Sequence, residues 1–285
     1  MPNLDLRKKR DLSPFRKIAI GTWQTAYDPS VYGALTLRME NALAYLDAFR
    51  EATGKRLTLT HMMAKAAAAV LQEMPDANAI LRYNRIYLRD RIAVFFQVAL
   101  TDPKTGEIDL SGARVDQPET KTLEAIVDEI EAKVGSVRSG EDKKLAASRG
   151  MFRRVPYFFL NRMMKIVSFL SYTLNLDMRW AGVPRDPFGS VMITNIGSLG
   201  LSHAYVPLVP YSRVPLVLAM GAVEDQAVVD DGKIVPGKVM TINATFDHRV
   251  LDGSHAAKMA RTLRAWMEHP LDHFDPIPSA SGDES

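Results

Sequence analysis

Apolar residues at helical spacing mark two long helices in the first half of the chain. The run THMMAKAAAAVLQEM, residues 60–74, is rich in helix formers, has a possible threonine N-cap at Thr58 or Thr60, and ends before Pro75. Residues 122–134 place five aliphatic side chains on one face with acids opposite, which predicts an amphipathic surface helix. We expect the first of these helices to belong to the core.

Other segments have the composition of β-strands. Residues 31–39 and 91–100 are rich in β-branched and aromatic residues, and shorter apolar runs follow at 190–194 and 214–223. Residues 227–246 hold an Asp-Asp-Gly-Lys turn between two extended arms, which predicts a hairpin. No repeat or low-complexity linker separates these segments, so a single domain is expected.

The second arm of the hairpin leads into a polar heptapeptide. Apolar residues at 240, 242, 244 and 246 alternate with Thr241, Asn243 and Thr245, which predicts one buried face and one polar face. The arm runs into DHRVLDG, residues 247–253, and a helix with Ser254 as a plausible N-cap is expected up to Pro270. The histidine of the heptapeptide is therefore predicted to lie in a strand-to-helix connection.

The residue types in DHRVLDG are those of a general base with its supports. An imidazole, with an ordinary pKa near 6.5, is suited to take a proton at neutral pH from a thiol with a pKa of about 8.5. Asp247 or Asp252 would hold the imidazole or an arginine, and Gly253 would let the backbone turn without a Cβ clash. The sequence thus indicates that His248 acts as a general base.

Two other interpretations of His248 stay open at this point. The first is a histidine that makes one local hydrogen bond and has no further role. The second is a metal site built from His248, Asp252 and His255, all of them borderline or hard ligands. We expect no metal, because Asp252 would more naturally pair with a neighbouring arginine.

Composition narrows the classes of function and the cellular location. The chain has 285 residues and no cysteine, which excludes disulfides, thiolate zinc sites and a cysteine nucleophile and favours a cytoplasmic location. The net charge is only +3, and the one basic cluster lies in residues 1–12, interpreted as a solvated N-terminal arm, so nucleic-acid binding is not expected. No signal peptide is visible, the apolar stretch 166–176 is too short to span a bilayer, and 276–285 are expected to form a disordered tail.

Several motifs together resemble one family. DHRVLDG matches the DHRxxDG signature of the acyltransferase (E2) components of 2-oxo acid dehydrogenase complexes. SVMITNIGSLG, VPLVLAMGAV and RTLRAWMEHP resemble the family's strand and turn, its next core strand and its final helix, and SPFRKIA and LTLTHMMAKAAAAVLQEMPDANAIL resemble its opening motif and first long helix. The resemblance identifies residues 13–275 as a catalytic domain with an atypical insertion at 141–185. It implies an α/β fold, the chloramphenicol acetyltransferase-like two-layer sandwich with a mixed β-sheet and flanking helices.

The resemblance also implies a reaction. In this family a histidine removes the proton from the thiol of coenzyme A or dihydrolipoamide, and the thiolate attacks an acyl thioester. Carried over to this sequence, His248 is the base and Thr194 donates a hydrogen bond to the tetrahedral oxyanion. The protein is therefore expected to be an acyltransferase with coenzyme A as a substrate.

The family's remaining site positions are occupied by residues that would support the site. Asp252 resembles the family's bracing acid, which pairs with an arginine, and Arg16 in the opening motif is a candidate for that arginine. Asn195 and Gly197 would form the turn beneath the substrate channel, a role that an ordinary tight turn also explains.

Family members assemble as trimers with each active site between two subunits. The resemblance therefore implies a homotrimer, or a higher multiple of trimers, in which a monomer is inactive. The acyltransferase pattern begins within about fifteen residues of Met1, where classical members carry lipoyl domains. Either a separate lipoyl protein or dehydrogenase subunits then act as partners and supply the acyl-lipoyl group, or the enzyme works between coenzyme A and another acceptor.

Alternatives remain for the function and for the insertion. Condensation domains of the same superfamily carry HHxxxDG, but Asp247 replaces their first histidine. A catalytically idle trimer that serves as the scaffold or core subunit of a dehydrogenase-like complex is the second candidate function. The apolar and basic residues of 152–180 would form core and trimer contacts, a lid over a long acyl chain, or a membrane-surface helix.

Overall fold

The computed structural model describes residues 2–10, 28–101, 108–138 and 157–278. The strands are β1 Leu6–Lys8, β2 Ser30–Arg38, β3 Ala79–Arg82, β4 Arg85–Arg89, β5 Ala93–Thr101, β6 Ile108–Asp116, β7 Val191–Asn195, β8 Leu216–Asp230 and β9 Lys233–Asp247. The helices are α1 Glu40–Thr53, α2 Leu59–Glu73, α3 Leu123–Arg138, α4 Tyr157–Ser168, α5 Gly253–Glu268 and α6 Pro270–His273. A π-helical turn, Phe169–Thr173, follows α4.

The main sheet has six strands in the order β2-β9-β8-β7-β5-β6. Strand β7 runs parallel to both β5 and β8, whereas the other pairs are antiparallel, so the sheet is mixed. Helices α2, α3 and α5 pack together against one face. This arrangement confirms the predicted α/β fold.

Helix α2 is the central core helix, as the sequence predicts. Thr58 is its N-cap and forms a capping box with His61, which satisfies N–H groups that the first turn leaves without helical partners. The side chains from His61 to Leu71 are all buried. Each fully buried methionine or leucine in such a helix contributes about 1.5–3 kcal/mol relative to an exposed one.

The predicted hairpin is confirmed, and it is longer than the sequence indicated. Strands β8 and β9 meet at a two-residue turn, Asp231 and Gly232, whose φ angles of 46° and 76° suit a tight hairpin. The apolar run 214–223 is not a separate strand, because it continues into the first arm of the hairpin across a bulge between Met220 and Val223. The bulge lets one long strand change direction without ending.

The polar face predicted for β9 is wrong in one respect: its residues are polar but not solvated. Thr241, Asn243 and Thr245 are only 5%, 1% and 0% exposed. The chain after β7 covers this face, since Asn243 Nδ2 donates to the carbonyl of Ser202 at 3.4 Å. Alternation therefore identified the strand correctly but could not show that a loop lies over its polar side.

The N-terminal segment is part of the fold and not a solvated arm. Leu6–Lys8 pairs with β4 to complete a second sheet in the order β1-β4-β3. Leu4 is 4% exposed and packs with Ile80 and Tyr172. Arg7 and Lys8, on this edge strand, are exposed, which explains why the cluster resembled a tail.

The described part of the insertion contributes to this second core and also exposes apolar surface. Tyr172, from the π-helical turn, is 1% exposed, whereas Ile166, Phe169 and Trp180 are 58%, 46% and 83% exposed. In the portion of the chain that the structure describes, no helix has the length and apolar character needed to cross a bilayer. The core role expected for the insertion is confirmed for Tyr172.

Candidate active site

Backbone hydrogen bonds hold the DHRVLDG segment in a compact loop at the end of β9. The N–H groups of Val250 and Leu251 both donate to the carbonyl of Asp247, each at 2.9 Å. The N–H of His248 donates to the carbonyl of Pro29, just before β2, at 2.9 Å. The loop is thus anchored to two neighbouring strands, and the position of the histidine backbone is fixed.

The imidazole of His248 is held through one of its two ring nitrogens. Nδ1 lies 2.8 Å from the carbonyl oxygen of Leu251. Because a carbonyl oxygen only accepts hydrogen bonds, Nδ1 must carry the proton, and the lone pair of the neutral ring is then on Nε2. This tautomer is the one a general base needs when Nε2 meets the substrate. The side chain is half-buried.

The first acid of the motif pairs with the arginine of the motif. Arg249 donates from Nε and Nη2 to the two carboxylate oxygens of Asp247 at 2.9 and 2.7 Å, and its backbone N–H donates to Oδ1 at 2.9 Å. Of the two acids offered by the sequence as partners for an arginine, Asp247 makes this pair. The bidentate contact fixes the residues on both sides of His248.

The second acid, Asp252, is the N-cap of α5. Its Oδ1 accepts from the backbone N–H groups of Ser254 and His255 at 3.0 and 3.3 Å. The prediction of Ser254 as the N-cap is wrong, because the helix begins at Gly253 and Ser254 lies in its first turn. A carboxylate is a strong cap, and it also interacts favourably with the helix dipole. The predicted partner Arg16 lies outside the described residues, so that pairing stays a prediction.

Side-chain hydrogen bonds keep Asp252 ionised. Burial opposes ionisation, but bonds from Ser254 and His255 outweigh it and lower the pKa of the Asp252 carboxyl below its ordinary value. His255 Nδ1 lies 2.7 Å from Asp252 Oδ1. Its other ring nitrogen faces Asp76, whose pKa is lowered to about 2, mainly by the His255 contact and further by Lys9. No motif or spacing in the sequence predicted a role for Asp76.

The geometry also bears on the glycine and on the metal interpretation of this loop. Gly253 is not required for steric reasons, since a Cβ there would meet no atom within 4 Å and its φ is not in the left-handed region. Within the described residues, no three histidine, aspartate or glutamate side chains are grouped to hold a metal ion. The contact between Asp252 and His255 instead belongs to the start of the helix.

A cavity of about 440 Å³ borders the loop. Asp247 and Arg249 line it on one side, and Arg213 lines it from the segment before β8; His248 is not among its lining residues. Burial, followed by the charge of Arg249, lowers the pKa of Arg213. The neighbours of the proposed base therefore face a space large enough for part of a substrate.

Thr194 lies near the end of β7, where the structure forms the predicted turn. Asn195 Oδ1 accepts from the N–H of Ser198 at 3.0 Å, and Asn195 Nδ2 donates to Thr60 at the start of α2 at 3.3 Å. A Cβ on Gly197 would lie 2.6 Å from the carbonyl oxygen of Gly221, so only glycine fits there. The turn is confirmed, and its relation to a substrate channel stays a prediction.

Within one chain, the register of the sheet keeps Thr194 and His248 apart. Thr194 is level with Asn243 of β9, two strands away, whereas His248 follows Asp247, which lies four residues further along that strand. Thr194 and Asp247 are therefore about 14 Å apart along the strands and about 10 Å apart across them. The two side chains cannot reach the same carbonyl group within one chain.

The fold and the site together define the class of protein. A chloramphenicol acetyltransferase superposes with a TM-score of 0.50 at 12% identity, covering 92% of this chain and 100% of that protein. A probable dihydrolipoamide acetyltransferase from Listeria monocytogenes gives 0.63 at 16% identity, with 96% and 98% covered, and the dihydrolipoamide acetyltransferase of Azotobacter vinelandii gives 0.63 at 18%, with 93% of both covered. These likenesses establish a chloramphenicol acetyltransferase-like fold.

Sequence comparison gives the family. The model of the 2-oxoacid dehydrogenases acyltransferase (catalytic domain) family matches residues 7–152 and 188–274, so the chain belongs to that family. Between the two matched ranges, residues 153–187 are unmatched, and they overlap most of the predicted insertion 141–185. The Bacillus subtilis (strain 168) dihydrolipoyllysine-residue acetyltransferase component of the acetoin cleaving system is 23% identical over 220 residues, which is 77% of this chain but 44% of that protein. The Pseudomonas putida lipoamide acyltransferase component of the branched-chain alpha-keto acid dehydrogenase complex is 35% identical over 85 residues, 30% of this chain and 20% of that protein.

Proposed function

We propose that the protein is an acyltransferase that moves an acyl group between coenzyme A and the thiol of a dihydrolipoyl-type acceptor. The observation that carries the proposal is the hydrogen bond between His248 Nδ1 and the carbonyl of Leu251, which leaves the lone pair of the neutral ring on Nε2. Family membership supports the reaction class, and the relatives named above are acetyl- or acyltransferases acting on dihydrolipoyl groups.

In the proposed reaction, His248 is the only residue that accepts and returns a proton. Nε2 takes the proton of the attacking thiol, and the thiolate adds to the carbonyl carbon of the acyl thioester. The negative oxygen of the tetrahedral intermediate accepts a hydrogen bond from Thr194 Oγ1. Collapse breaks the original C–S bond, and the departing thiolate takes the proton back from the imidazolium. Atoms and charge balance, and no metal is needed.

The supporting residues hold the loop in position and take no part in the proton transfer. The Asp247–Arg249 pair and the Asp252 cap hold the two ends of the five-residue loop between β9 and α5. In the Azotobacter vinelandii enzyme, a serine, a histidine and an asparagine have been studied for their role in the mechanism. This chain has side chains of similar chemistry in Thr194, His248 and Asp252, which supply a hydroxyl, an imidazole and a third hydrogen-bonding group.

A homotrimer completes the site. Because the register keeps Thr194 and His248 too far apart within one chain to reach the same carbonyl group, we propose that the threonine of one chain meets the histidine of a neighbour. Exposed apolar residues follow Thr194 in the turn after β7: Leu199 and Leu201 are 56% and 46% exposed. Apolar surface of this kind is typical of a protein interface. A relative of known structure forms the cubic core of the pyruvate dehydrogenase multienzyme complex.

The acceptor is proposed to come from a separate lipoyl-bearing protein. The Bacillus subtilis relative is named for action on a dihydrolipoyllysine residue, which is a lipoyl group carried by a protein, and this chain spans less than half the length of that relative. A lipoyl protein would present its dithiol to the site, as free dihydrolipoamide does in an assay. Dehydrogenase subunits are the corresponding source of the acyl group.

The test is thioester exchange with a panel of acyl-coenzyme A compounds and dihydrolipoamide. We expect the parent to catalyse exchange and His248→Ala to lose roughly 10²–10⁴ in turnover, because a general base contributes that much. Circular dichroism controls for folding. Equal activity of parent and variant would place the chemistry elsewhere, and an inactive parent with every acyl group would favour the idle scaffold.

A further inference from the structure

A second cavity, of about 210 Å³, is lined by four arginines and three aspartates. It lies where the N-terminal segment meets the start of β5 and the end of β6. Three of the arginines make ion pairs with the three aspartates: Arg185 with Asp5 at 3.1 Å, Arg114 with Asp116 at 2.8 Å and Arg89 with Asp186 at 2.6 Å. One arginine charge is therefore in excess.

The fourth arginine, Arg91, is exposed and lines the cavity. No carboxylate of the described residues lies within ion-pair distance of it. An arginine beside three neutralised pairs makes the cavity electropositive, so an anion would be attracted to it.

Arg89, one of the residues that line this cavity, has an unused pair of donors. Its side chain is 4% exposed, and only Nη1 bonds to Asp186. Nε and Nη2 are buried and make no hydrogen bond to any described residue. These two N–H groups form one edge of the guanidinium, the edge that grips two oxygens at once.

Elsewhere in the same protein, that edge is occupied. Arg249 uses Nε and Nη2 to hold both carboxylate oxygens of Asp247, and Arg179 holds Asp177 with the same two atoms. Leaving such donors buried without an acceptor is unfavourable. Asp186, which also lines the cavity, has a buried acceptor, Oδ1, that receives no hydrogen bond from any described residue. A ligand with two acceptor oxygens and a hydroxyl would satisfy all three atoms.

We propose that this cavity binds a phosphate group, with two of its oxygens on the Nε and Nη2 edge of Arg89 and its charge balanced by Arg91. A volume of about 210 Å³ is below the range of about 300–1,000 Å³ that whole small-molecule ligands occupy, which suits a phosphate better than an entire cofactor. A protonated phosphate oxygen or an adjacent sugar hydroxyl would donate to Asp186 Oδ1.

The cavity lies at the same end of the main sheet as His248. Ala93, which lines it, is level with Asp247 three strands away, a separation of roughly 14 Å. An extended pantetheine arm between a thiol and its phosphates can span such a distance. The phosphate is then either part of coenzyme A, which rests on the proposed function, or free inorganic phosphate.

The experiment compares three variants in two measurements. Arg91→Gln removes the excess charge without touching an ion pair, and Arg89→Lys keeps the charge but removes the two-donor edge. Arg261→Gln, another exposed arginine with no ion pair among the described residues, is the matched control. Calorimetry measures inorganic phosphate binding, and thioester exchange measures KM for coenzyme A and for pantetheine, which has no phosphate. Circular dichroism checks the Arg89 variant, and Arg91→Gln carries the test if that variant does not fold.

We expect the parent to bind inorganic phosphate, and Arg91→Gln and Arg89→Lys to weaken binding at least tenfold while Arg261→Gln does not. If the phosphate belongs to coenzyme A, KM for coenzyme A rises by a similar factor while KM for pantetheine is unchanged. If both KM values are unchanged, the cavity binds free phosphate. No phosphate binding together with unchanged KM for coenzyme A, or an equal effect of the control, would overturn the proposal. If the protein has no exchange activity, calorimetry still tests phosphate binding by the cavity. Failure of the proposed acyltransferase function can therefore be distinguished from failure of the proposed phosphate site.

Discussion

The two ends of the main sheet carry similar helix starts with different electrostatics. At one end, Thr58 caps α2 and His61 stands three residues later; at the other, Asp252 caps α5 and His255 stands three residues later. Asn195 beside Thr194 bonds to the first helix start, and His248 precedes the second. Each proposed site residue, Thr194 and His248, therefore lies beside a helix whose N-cap residue is followed three positions later by a histidine.

The difference lies in what each histidine contacts. His61 Nδ1 accepts from the backbone N–H of Thr58 at 3.2 Å, and burial lowers the pKa of His61 to about 4, so it stays neutral. His255 instead lies between Asp252 and Asp76, whose pKa values are both lowered. The threonine end therefore depends on an unprotonated histidine, whereas the histidine end depends on ionised carboxylates.

At the threonine end, the substitution expected to reduce turnover most is Thr194→Val. Valine keeps the shape and strand propensity of threonine but removes the hydroxyl that donates to the oxyanion. We expect turnover to fall by roughly 10²–10³, as for other single oxyanion donors, with little change in stability. Thr194→Ser, which keeps the hydroxyl, should retain most activity in the same thioester-exchange assay. Equal activity of the valine and serine variants would remove Thr194 from the mechanism.

Acidification should destabilise the protein through His61. In the unfolded chain a histidine takes a proton near pH 6.5, whereas in the fold it does so only near pH 4. The free energy of unfolding is therefore highest above pH 6.5 and falls as the pH drops toward 4, by up to about 3 kcal/mol. Urea unfolding of the parent and of His61→Asn at pH 7 and pH 5 measures this. An equal fall in both proteins would assign the pH dependence to other groups.

Asp252→Ala should have the smallest of these effects on stability. Loss of the N-cap of α5 costs about 1 kcal/mol, and Asp252→Asn, which keeps a capping oxygen, should recover most of it. Thermal unfolding of the three proteins gives the values. If asparagine restores stability but not turnover, the negative charge of Asp252 matters for the site; if it restores both, the cap alone explains the role of this residue.

The sequence predicted features that depend on local pattern or on a distinctive motif. Helix α2, the β8–β9 hairpin and the place of His248 after β9 follow from periodicity, turn residues and DHRVLDG. The burial of Asn243 did not follow, because a segment distant in the sequence covers its strand. The N-terminal strand was missed for the same reason, since Leu6–Lys8 pairs with β4 some 80 residues away.

The sequence predicted the contacts that position the site less well than it predicted His248 itself. The carbonyl of Leu251 has no sequence signal, because any residue supplies a backbone oxygen. Asp76 and Arg89 lie far from the motif in the sequence and reach their partners only through tertiary packing. The resemblance implies that Asp252 pairs with an arginine, whereas among the described residues Asp252 caps α5 and Asp247 pairs with Arg249, two positions away.

The central claim is that each active site combines His248 of one chain with Thr194 of another, and mixing the two defective variants tests it most directly. Chains of His248→Ala and Thr194→Val are coexpressed in equal amounts, purified as mixed oligomers and assayed for thioester exchange. In a cyclic trimer roughly one quarter of the sites would regain both residues, so activity should rise to about that fraction of the parent's and far above that of either variant alone. Activity no greater than that of the separate variants would contradict a shared site.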